Sequence, residues 1–414
     1  MAAASLMQIV ALGPQDEILT ANPTIDFFNQ NYEQHVNFGF EQQEITFNGH
    51  ANFGREVNCT LPKAGDLVND IWLEISLPAL EVDNTSTIRW VDNIGHIIID
   101  YITIDIGGNR IDKHYGIYYE LWKELTIPEE KRLGFNDLIG QQNVVEDIDS
   151  TGVATYSYEG LQTPAQEQPA TILNIPLQFW FNTNVGLALP LISIQYQNVK
   201  FEVKLRAITD LVIMSSGAVF TAPILTDLKM WATYIYLDQD MRAGYTSNEQ
   251  TYLITQLQTP GAESVSASSY NYKISLNHPI IELIWFIQED SAETANDWCN
   301  FSTSTGASPV TDVKISINNQ DKEKVRLSSY YQKIIPYLRH TRMPSKHIFV
   351  YTFSLFPEVF QPSGSMNYSR IDTCTIHHTL SALSSSTAGK IHLFARNYNE
   401  LRITCGGGNV GYSS

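Results

Sequence analysis

Apolar and polar residues alternate with period two from about residue 43 to the end of the chain, and the alternating stretches recur as a weak internal repeat. That pattern demands half-buried strands. The cleanest stretch is Val199-Lys200-Phe201-Glu202-Val203-Lys204-Leu205, and others run through Ile71/Leu73/Ile75/Leu77, Ile102/Ile104/Ile106, Val313/Ile315/Ile317 and Cys374/Ile376/His378/Leu380. Sliding the second half along the first aligns three anchors at a nearly constant offset: Ile71-Trp72 with Ile284-Trp285, Ile104-Asp105-Ile106-Gly107-Gly108 with Ile315-Ser316-Ile317-Asn318-Asn319, and Tyr118-Tyr119 with Tyr330-Tyr331. Two homologous β-domains in tandem are expected.

A chain of 414 residues suits two domains of ordinary size. The reading places an N-terminal arm at residues 1–22, a first domain at 23–238, a linker at 239–248 and a second domain at 249–414 ending in a flexible C-terminal tail. The linker is placed where Asp238-Gln239-Asp240-Met241-Arg242-Ala243-Gly244 breaks the alternation. Helical spacing is confined to short stretches, the clearest being Tyr118, Leu121, Trp122 and Leu125 before Pro128. Many strands without a βαβ rhythm give an antiparallel sandwich or barrel. The copies differ mainly in polar insertions, residues 127–169 in the first and 288–309 in the second, which belong at the surface.

A formal net charge of −18, with no Lys/Arg cluster, makes the surface repel phosphate, so no direct nucleic-acid contact is expected. Cys59, Cys299, Cys374 and Cys405 lie far apart in no metal-binding spacing, which predicts neither zinc nor disulfides and fits a reducing compartment. The apolar start Leu6-Met7-Gln8-Ile9-Val10-Ala11-Leu12 lacks a basic segment before it and does not read as a signal peptide. No apolar run reaches the ~18 residues of a membrane helix.

Motifs that carry chemistry elsewhere fail here on context. Gly406-Gly407-Gly408 has no helix to open behind it and reads as tail, while Gly107-Gly108-Asn109 reads as a strand-end turn. His377 and His378 near Cys374 point to opposite faces of a strand, so no metal is assigned. No nucleophile elbow, zinc-protease or phosphate-loop pattern appears, and no catalytic residue or cofactor is assigned. Glu146, Asp147 and Asp149 read as loop charges. Asn58, Asn84, Asn300 and Asn367 open glycosylation sequons; without a secretory signal these are read as chance matches, with Asn84 and Asn300 the first candidates if sugar is found.

Five ordered blocks carry a family resemblance along nearly the whole chain. They are the arm from Leu6 to Gly13 with Leu19-Thr20-Ala21-Asn22-Pro23; Gly65-Asp66-Leu67 and then Gly107-Gly108-Asn109-Arg110-Ile111-Asp112-Lys113-His114-Tyr115; Asn182-Thr183 with Gly186-Leu187-Ala188-Leu189-Pro190; Gln361-Pro362-Ser363-Gly364 through Arg370-Ile371-Asp372; and Ala395-Arg396-Asn397-Tyr398-Asn399-Glu400-Leu401-Arg402. The chain resembles the major capsid proteins of nucleocytoplasmic large DNA viruses, most of all algal ones such as the chlorella viruses. One departure is Tyr32-Glu33-Gln34-His35, where members often carry a basic pair.

The resemblance implies an all-β chain of two tandem eight-stranded antiparallel jelly rolls with short helices in loops, and a structural role without catalysis. It implies a homotrimer that forms a pseudo-hexagonal capsomer tiling an icosahedral shell, in company with minor capsid and penton proteins and with an internal membrane on the arm side. Synthesis and assembly in the host cytoplasm go with that picture. Gly65, Asp66, Gly107, Gly108, Arg110, Asp112, His114, Tyr115, Asn182, Gly186, Pro190, Gln361, Pro362, Ser363, Gly364, Arg370, Asp372, Asn397, Tyr398 and Arg402 are the positions it marks as structural. The alternatives are a carbohydrate-binding or carbohydrate-cleaving β-sandwich, since aromatic platforms with carboxylates occur there too, and a minor coat component of the same fold.

Overall fold

The structure, a computed structural model, describes residues 3–83, 86–141, 143–148, 154–159, 161–218, 220–381 and 388–412, with backbone alone for 3–5, 143–148 and 154–159. It divides into two compact units, Met1–Phe38 and Gly39–Ser414. In the first, helix α1 (Ala3–Val10) is followed by a one-turn helix (Glu17–Thr20) whose entry is braced by Asp16, which accepts from Gly13 N at 2.9 Å. Its large apolar side chains, Phe27 and Phe28 among them, are exposed.

The second unit holds the two jelly rolls. Strands of the first are β1 (Phe38–Thr46), β2 (Glu56–Thr60), β3 (Leu67–Leu77), β4 (Ile99–Ile106), β5 (Asn109–Tyr115), β6 (Thr171–Pro176), β7 (Val199–Leu205) and β8 (Asp227–Leu237). They form two sheets in the orders β1-β8-β3-β6 and β2-β7-β4-β5. The second jelly roll repeats this with β9 (Gln250–Gln258), β10 (Ser269–Ile274), β11 (Pro279–Glu289), β12 (Val310–Ile317), β13 (Gln320–Leu327), β14 (Phe349–Thr352), β15 (Cys374–Leu380) and β16 (Gly389–Thr404), ordered β9-β16-β11-β14 and β10-β15-β12-β13. Strand for strand the topologies are identical, so the internal repeat is a repeat of fold.

Between the fifth and sixth strands each copy carries a helix. In the first it is α2 (Gly116–Thr126), followed by α3 (Glu129–Leu138) and an antiparallel hairpin (Asn143–Ile148 with Ala154–Glu159). The segment between the jelly rolls forms helix α4 (Gln239–Ser247), at whose start the Asp238 side chain accepts from Gln239 N at 2.7 Å. In the second copy a π-helical turn (Tyr330–Ile334) runs into a short α-helix (Ile335–Arg339), together α5.

Alternation explains the cores. Ile71, Leu73, Ile75 and Leu77 of β3 are at most 1% exposed, and full burial of such side chains contributes about 1.5–3 kcal/mol each. One anchor departs from its apparent register. Trp72 points outward and stacks on its cross-strand partner Trp231 with centroids 6.2 Å apart, whereas Trp285 points inward among Tyr331, Phe349 and His378. The two Ile-Trp pairs lie on equivalent strands with opposite faces inward. A one-residue slip has that effect in a period-two element.

The C-terminal glycines correct the expectation of a free tail. Gly407–Val410 forms a strand antiparallel to β16, because Cys405 (φ 50°) and Gly406 (φ 77°) turn the chain back and Gly408 N donates to Gln197 Oε1 at 2.9 Å. Among the described residues no helix is long and apolar enough to cross a membrane.

Candidate functional site: the seam between the jelly rolls

One block of motif positions, from Gly107 to Tyr115, and the deeply buried charges meet where the two jelly rolls join. Gly107 and Gly108 both take positive φ (60° and 87°) in the two-residue turn joining β4 to β5, and Asn318 and Asn319 do the same (50° and 62°) between β12 and β13. Two-residue hairpins favour turns of this kind, and glycine and asparagine tolerate the left-handed region best. β5 then runs along β9 of the second jelly roll: Leu257 N donates to Asp112 Oδ1 at 3.1 Å and Gln256 Nε2 to Ile111 O at 2.5 Å. The other Asp112 oxygen lies 3.0 Å from His114 Nε2, and the His114 ring stacks on Phe179 at 4.6 Å. Tyr115 reaches across to Phe394.

Gly116 opens α2 because nothing larger fits: a Cβ there would sit 2.1 Å from the His96 carbonyl oxygen. The helix stripe read from sequence is buried, and its polar positions are buried as well. Glu120, without exposure, takes Lys346 Nζ at 2.7 Å and Asn93 Nδ2 at 3.0 Å on Oε1, with His96 Nδ1 at 3.3 Å and Lys123 Nζ at 3.6 Å from Oε2. Burial alone would raise this carboxyl; Lys346, Lys123 and the His96 hydrogen bond outweigh it and hold the group well below the usual carboxylate range. One turn on, Glu124 accepts from Ser345 N (3.1 Å) and Ser345 Oγ (2.8 Å), and Arg342 N donates to Leu125 O at 2.9 Å. Lys346, Ser345 and Arg342 all belong to the second jelly roll.

A second cluster sits on the outward face of the β9-β16-β11-β14 sheet. Arg396 donates to Glu282 Oε1 at 2.7 Å and lies 4.1 Å from the centroid of Trp122 on α2. His340 bridges Glu282 (3.1 Å) and Glu358 (2.9 Å). Burial would raise Glu282, yet His340 and Arg396 bring it down to about 2; burial would lower His340, yet Glu282 and Glu358 bring it up to about 9. Buried charges of this kind persist only when paired. Elsewhere along the seam, Trp298 Nε1 donates to Asp210 O at 2.7 Å, and Asn109 Nδ2 to Asn409 Oδ1 at 2.7 Å.

The remaining motif positions stand apart from this seam. Gly65 packs where a Cβ would lie 2.9 Å from Tyr234, and Asp66 accepts from Leu237 N (2.8 Å) while pairing with Arg242 of α4 (3.1 Å). Asn182 donates to Ile71 O, Gly186 N donates to Asn184 Oδ1, and Pro190 pairs with Leu67. Arg110 lies 3.8 Å from Asp105. Gln361 and Pro362 lie in an exposed loop; Ser363 Oγ meets Ser354 Oγ at 2.6 Å, and Gly364 (φ 138°) would place a Cβ 2.6 Å from Phe353 O. The loop follows β14, which ends at Thr352, and leads to a 3₁₀ turn closed by Arg370, after which Asp372 N donates to Asn318 Oδ1. Asn397 and Tyr398 are buried on β16, and Arg402 pairs with Glu400. Asn300 is half-buried, its Oδ1 accepting from Ser302 N and Oγ. Asn84 and Asp149 lie outside the described residues, as do the side chains of Glu146 and Asp147. His378 faces the core while His377 faces out to Ser316 and Asn271, as the alternation requires.

Sequence reading missed the two buried charge clusters. Their signal was present as single charges inside apolar runs, Glu282 in Ile280-Ile281-Glu282-Leu283-Ile284 and Arg396 after Leu393-Phe394-Ala395. A continuous apolar run marks a strand covered on both faces, and a charge within it must have a partner.

The profile of the major capsid protein N-terminus matches residues 26–238, and that of the large eukaryotic DNA virus major capsid protein matches residues 242–409. The major capsid protein of Phaeocystis pouchetii virus is 33% identical over the full length of both chains. The chain belongs to the major capsid proteins of large eukaryotic DNA viruses. The major capsid protein of Paramecium bursaria Chlorella virus 1 is 29% identical over the full length of both chains. PBCV-1 VP54, fitted into a reconstruction of the virophage Sputnik, superposes with a TM-score of 0.78 at 26% identity, over 94% of this chain and all of that one. The Faustovirus major capsid protein shares the fold (TM-score 0.83, 15% identity, 97% of each chain). Members of this family are structural coat proteins, and this one is a virion component, not an enzyme. In a major capsid protein the working parts are contact surfaces, and the seam is the one that a single chain displays.

Proposed function

We propose that three copies of this capsid protein associate into a capsomer of near-hexagonal outline, and that capsomers tile an icosahedral shell. The observation that carries this is the occurrence of one eight-strand topology twice in a chain, joined by a buried seam. Two similar walls per copy and three copies give six, so one subunit type can satisfy a hexagonal lattice through closed symmetric contacts. In this reading residues 23–238 and 249–414 are the wall-forming domains, residues 239–248 connect them, and residues 1–22 are an arm directed to the membrane side and to minor capsid or penton proteins. The motif residues keep the walls in register, Gly107, Gly108, Asp112, His114 and Tyr115 at the seam and Asp66 at the connection. Assembly takes place in the host cytoplasm.

The test is the native mass of the full chain by light scattering after size exclusion, with a mass of three chains that survives dilution expected. A single-chain mass at every concentration contradicts the reading. Deleting residues 1–21 is expected to leave the β-domains folded and to reduce shell yield in an assembly assay; unchanged yield removes the role of the arm.

A further inference from the structure

The buried cluster on α2 holds, besides its ion pairs, an amine pressed against an amide. Lys123 Nζ donates to Asn93 Oδ1 at 2.7 Å, a closer contact than the 3.6 Å that separates it from Glu120 Oε2. The Asn93 amide nitrogen in turn donates to Glu120 Oε1 at 3.0 Å. Asn93, Glu120 and Lys123 are 3%, 0% and 5% exposed. A carbonyl bond is about 1.2 Å long, so Nζ stands within about 4 Å of the Asn93 amide carbon, Cγ. Amine, amide carbon and carboxylate form a closed triangle away from water.

Each corner is held from outside the triangle. Asn93 takes a left-handed backbone (φ 52°), its N donates to Gln141 Oε1 at 2.5 Å, and the residue opens a one-turn helix, Ile94–Ile97, that packs on α2. Lys346 Nζ of the second jelly roll donates to Glu120 Oε1 at 2.7 Å, and His96 Nδ1 lies 3.3 Å from Oε2. One buried carboxylate thus faces two lysines, and the nearest contact of Lys123 is not a charge but the neutral carbonyl of Asn93. A buried cation without a partner of its own is costly, and joining it to the amide removes it. Groups fixed at contact distance react as an effectively unimolecular pair, and the enclosure keeps water from competing.

We propose that Lys123 and Asn93 join in an intramolecular isopeptide bond, formed in the folded chain with Glu120 as the proton carrier. Glu120 takes one proton from the Lys123 ammonium, and Nζ then attacks Cγ, the C–N bond forming as the carbonyl pair moves onto Oδ1. Return of that pair breaks the bond to Nδ2, which leaves with a second Nζ proton as ammonia and takes up the proton held by Glu120. One ammonium group and one primary amide give one secondary amide and one ammonium ion, with no oxidant or cofactor. The bond closes a loop between residues 93 and 123 and fastens α2, the helix that meets the second jelly roll, to the body of the first. It is independent of the trimer reading.

The test is the mass of the purified full chain in denaturant, read together with a tryptic peptide map. Expected are a mass lower by one ammonia than the sequence gives, no cleavage after Lys123, and a branched peptide joining residues 90–110 through Asn93 to residues 114–131 through Lys123. Lys123→Met and Glu120→Gln, each with an unchanged circular dichroism spectrum, are expected to keep their full sequence mass. Complete recovery of linear peptide ending at Lys123 from the parent chain overturns the proposal, and that result requires no variant to fold. A loss of ammonia that persists in Lys123→Met comes from an asparagine cyclising on its own backbone and overturns it as well. A branched peptide from Glu120→Gln overturns the role of Glu120 while the bond stands.

Discussion

The helices α2 and α5 occupy the same place in two copies of one fold, yet α2 is buried along nearly its whole length while α5 is buried on one face only. On α2 the aromatic stripe and the charges Glu120, Lys123 and Glu124 are all enclosed, because the second jelly roll supplies Lys346, Ser345 and Arg396. On α5, Tyr331 and Gln332 face the core, while Tyr337 and Leu338 face solvent. The difference lies not in intrinsic helix character but in what stands opposite. A fold used twice in one chain leaves one copy of each contact surface satisfied and one free.

The comparison breaks most sharply at Glu120. Changing it to Ala leaves Lys346 and Lys123 without their buried partner and is expected to cost about 3–5 kcal/mol in urea unfolding, as for other broken buried pairs. Tyr337→Ala on α5 is expected to change the stability of the dissociated chain by less than about 0.5 kcal/mol, the range of an exposed position. Equal costs at the two sites would remove the distinction.

The Glu282–His340–Arg396 cluster sharpens it through pH. His340 is raised from 6.5 to about 9, so its contribution is complete below pH 6.5 and is lost as pH rises through about 9. Glu282 is lowered from 4.5 to about 2, so its contribution is complete above pH 4.5 and is lost as pH falls through about 2. Stability of the chain is thus expected to fall by about 3 kcal/mol between pH 6.5 and 9.5, from the His340 shift alone. His340→Gln should flatten that limb of the denaturation midpoint against pH, and an unchanged slope would show that the cluster does not govern the seam.

The hairpin turns give the smallest contrast. Gly107→Ala puts a Cβ 2.4 Å from the Gln197 side chain at a positive φ and is expected to cost more than about 1 kcal/mol. Asn319→Gly, at φ 62° in the other copy, should stay within about 0.5 kcal/mol of the parent, because glycine accepts that backbone freely.

The fold was legible because alternation survives wherever one sheet face meets a core, as along β3, β7 and β15. It blurred where both faces are covered. β11 reads as a nearly unbroken apolar run, so nothing in its sequence says which way Trp285 points, and the Ile-Trp anchor conceals a one-residue slip. The Gly-Gly and Asn-Asn turns were better guides, since positive φ restricts the residues that fit. Helix α4 was hidden because a capped polar helix leaves no apolar stripe, and the C-terminal strand because its partner, β16, is reached only by a turn through Cys405 and Gly406. The seam itself was half legible: its β5 side was marked by motif residues, whereas Glu120, Glu282 and His340 pair with partners distant in sequence.

The most direct measurement is a single-particle electron cryomicroscopy reconstruction of the purified full chain with no symmetry imposed. The expected result is a ring of six similar walls from three chains. Isolated single chains, or rings in which like faces meet, would contradict it.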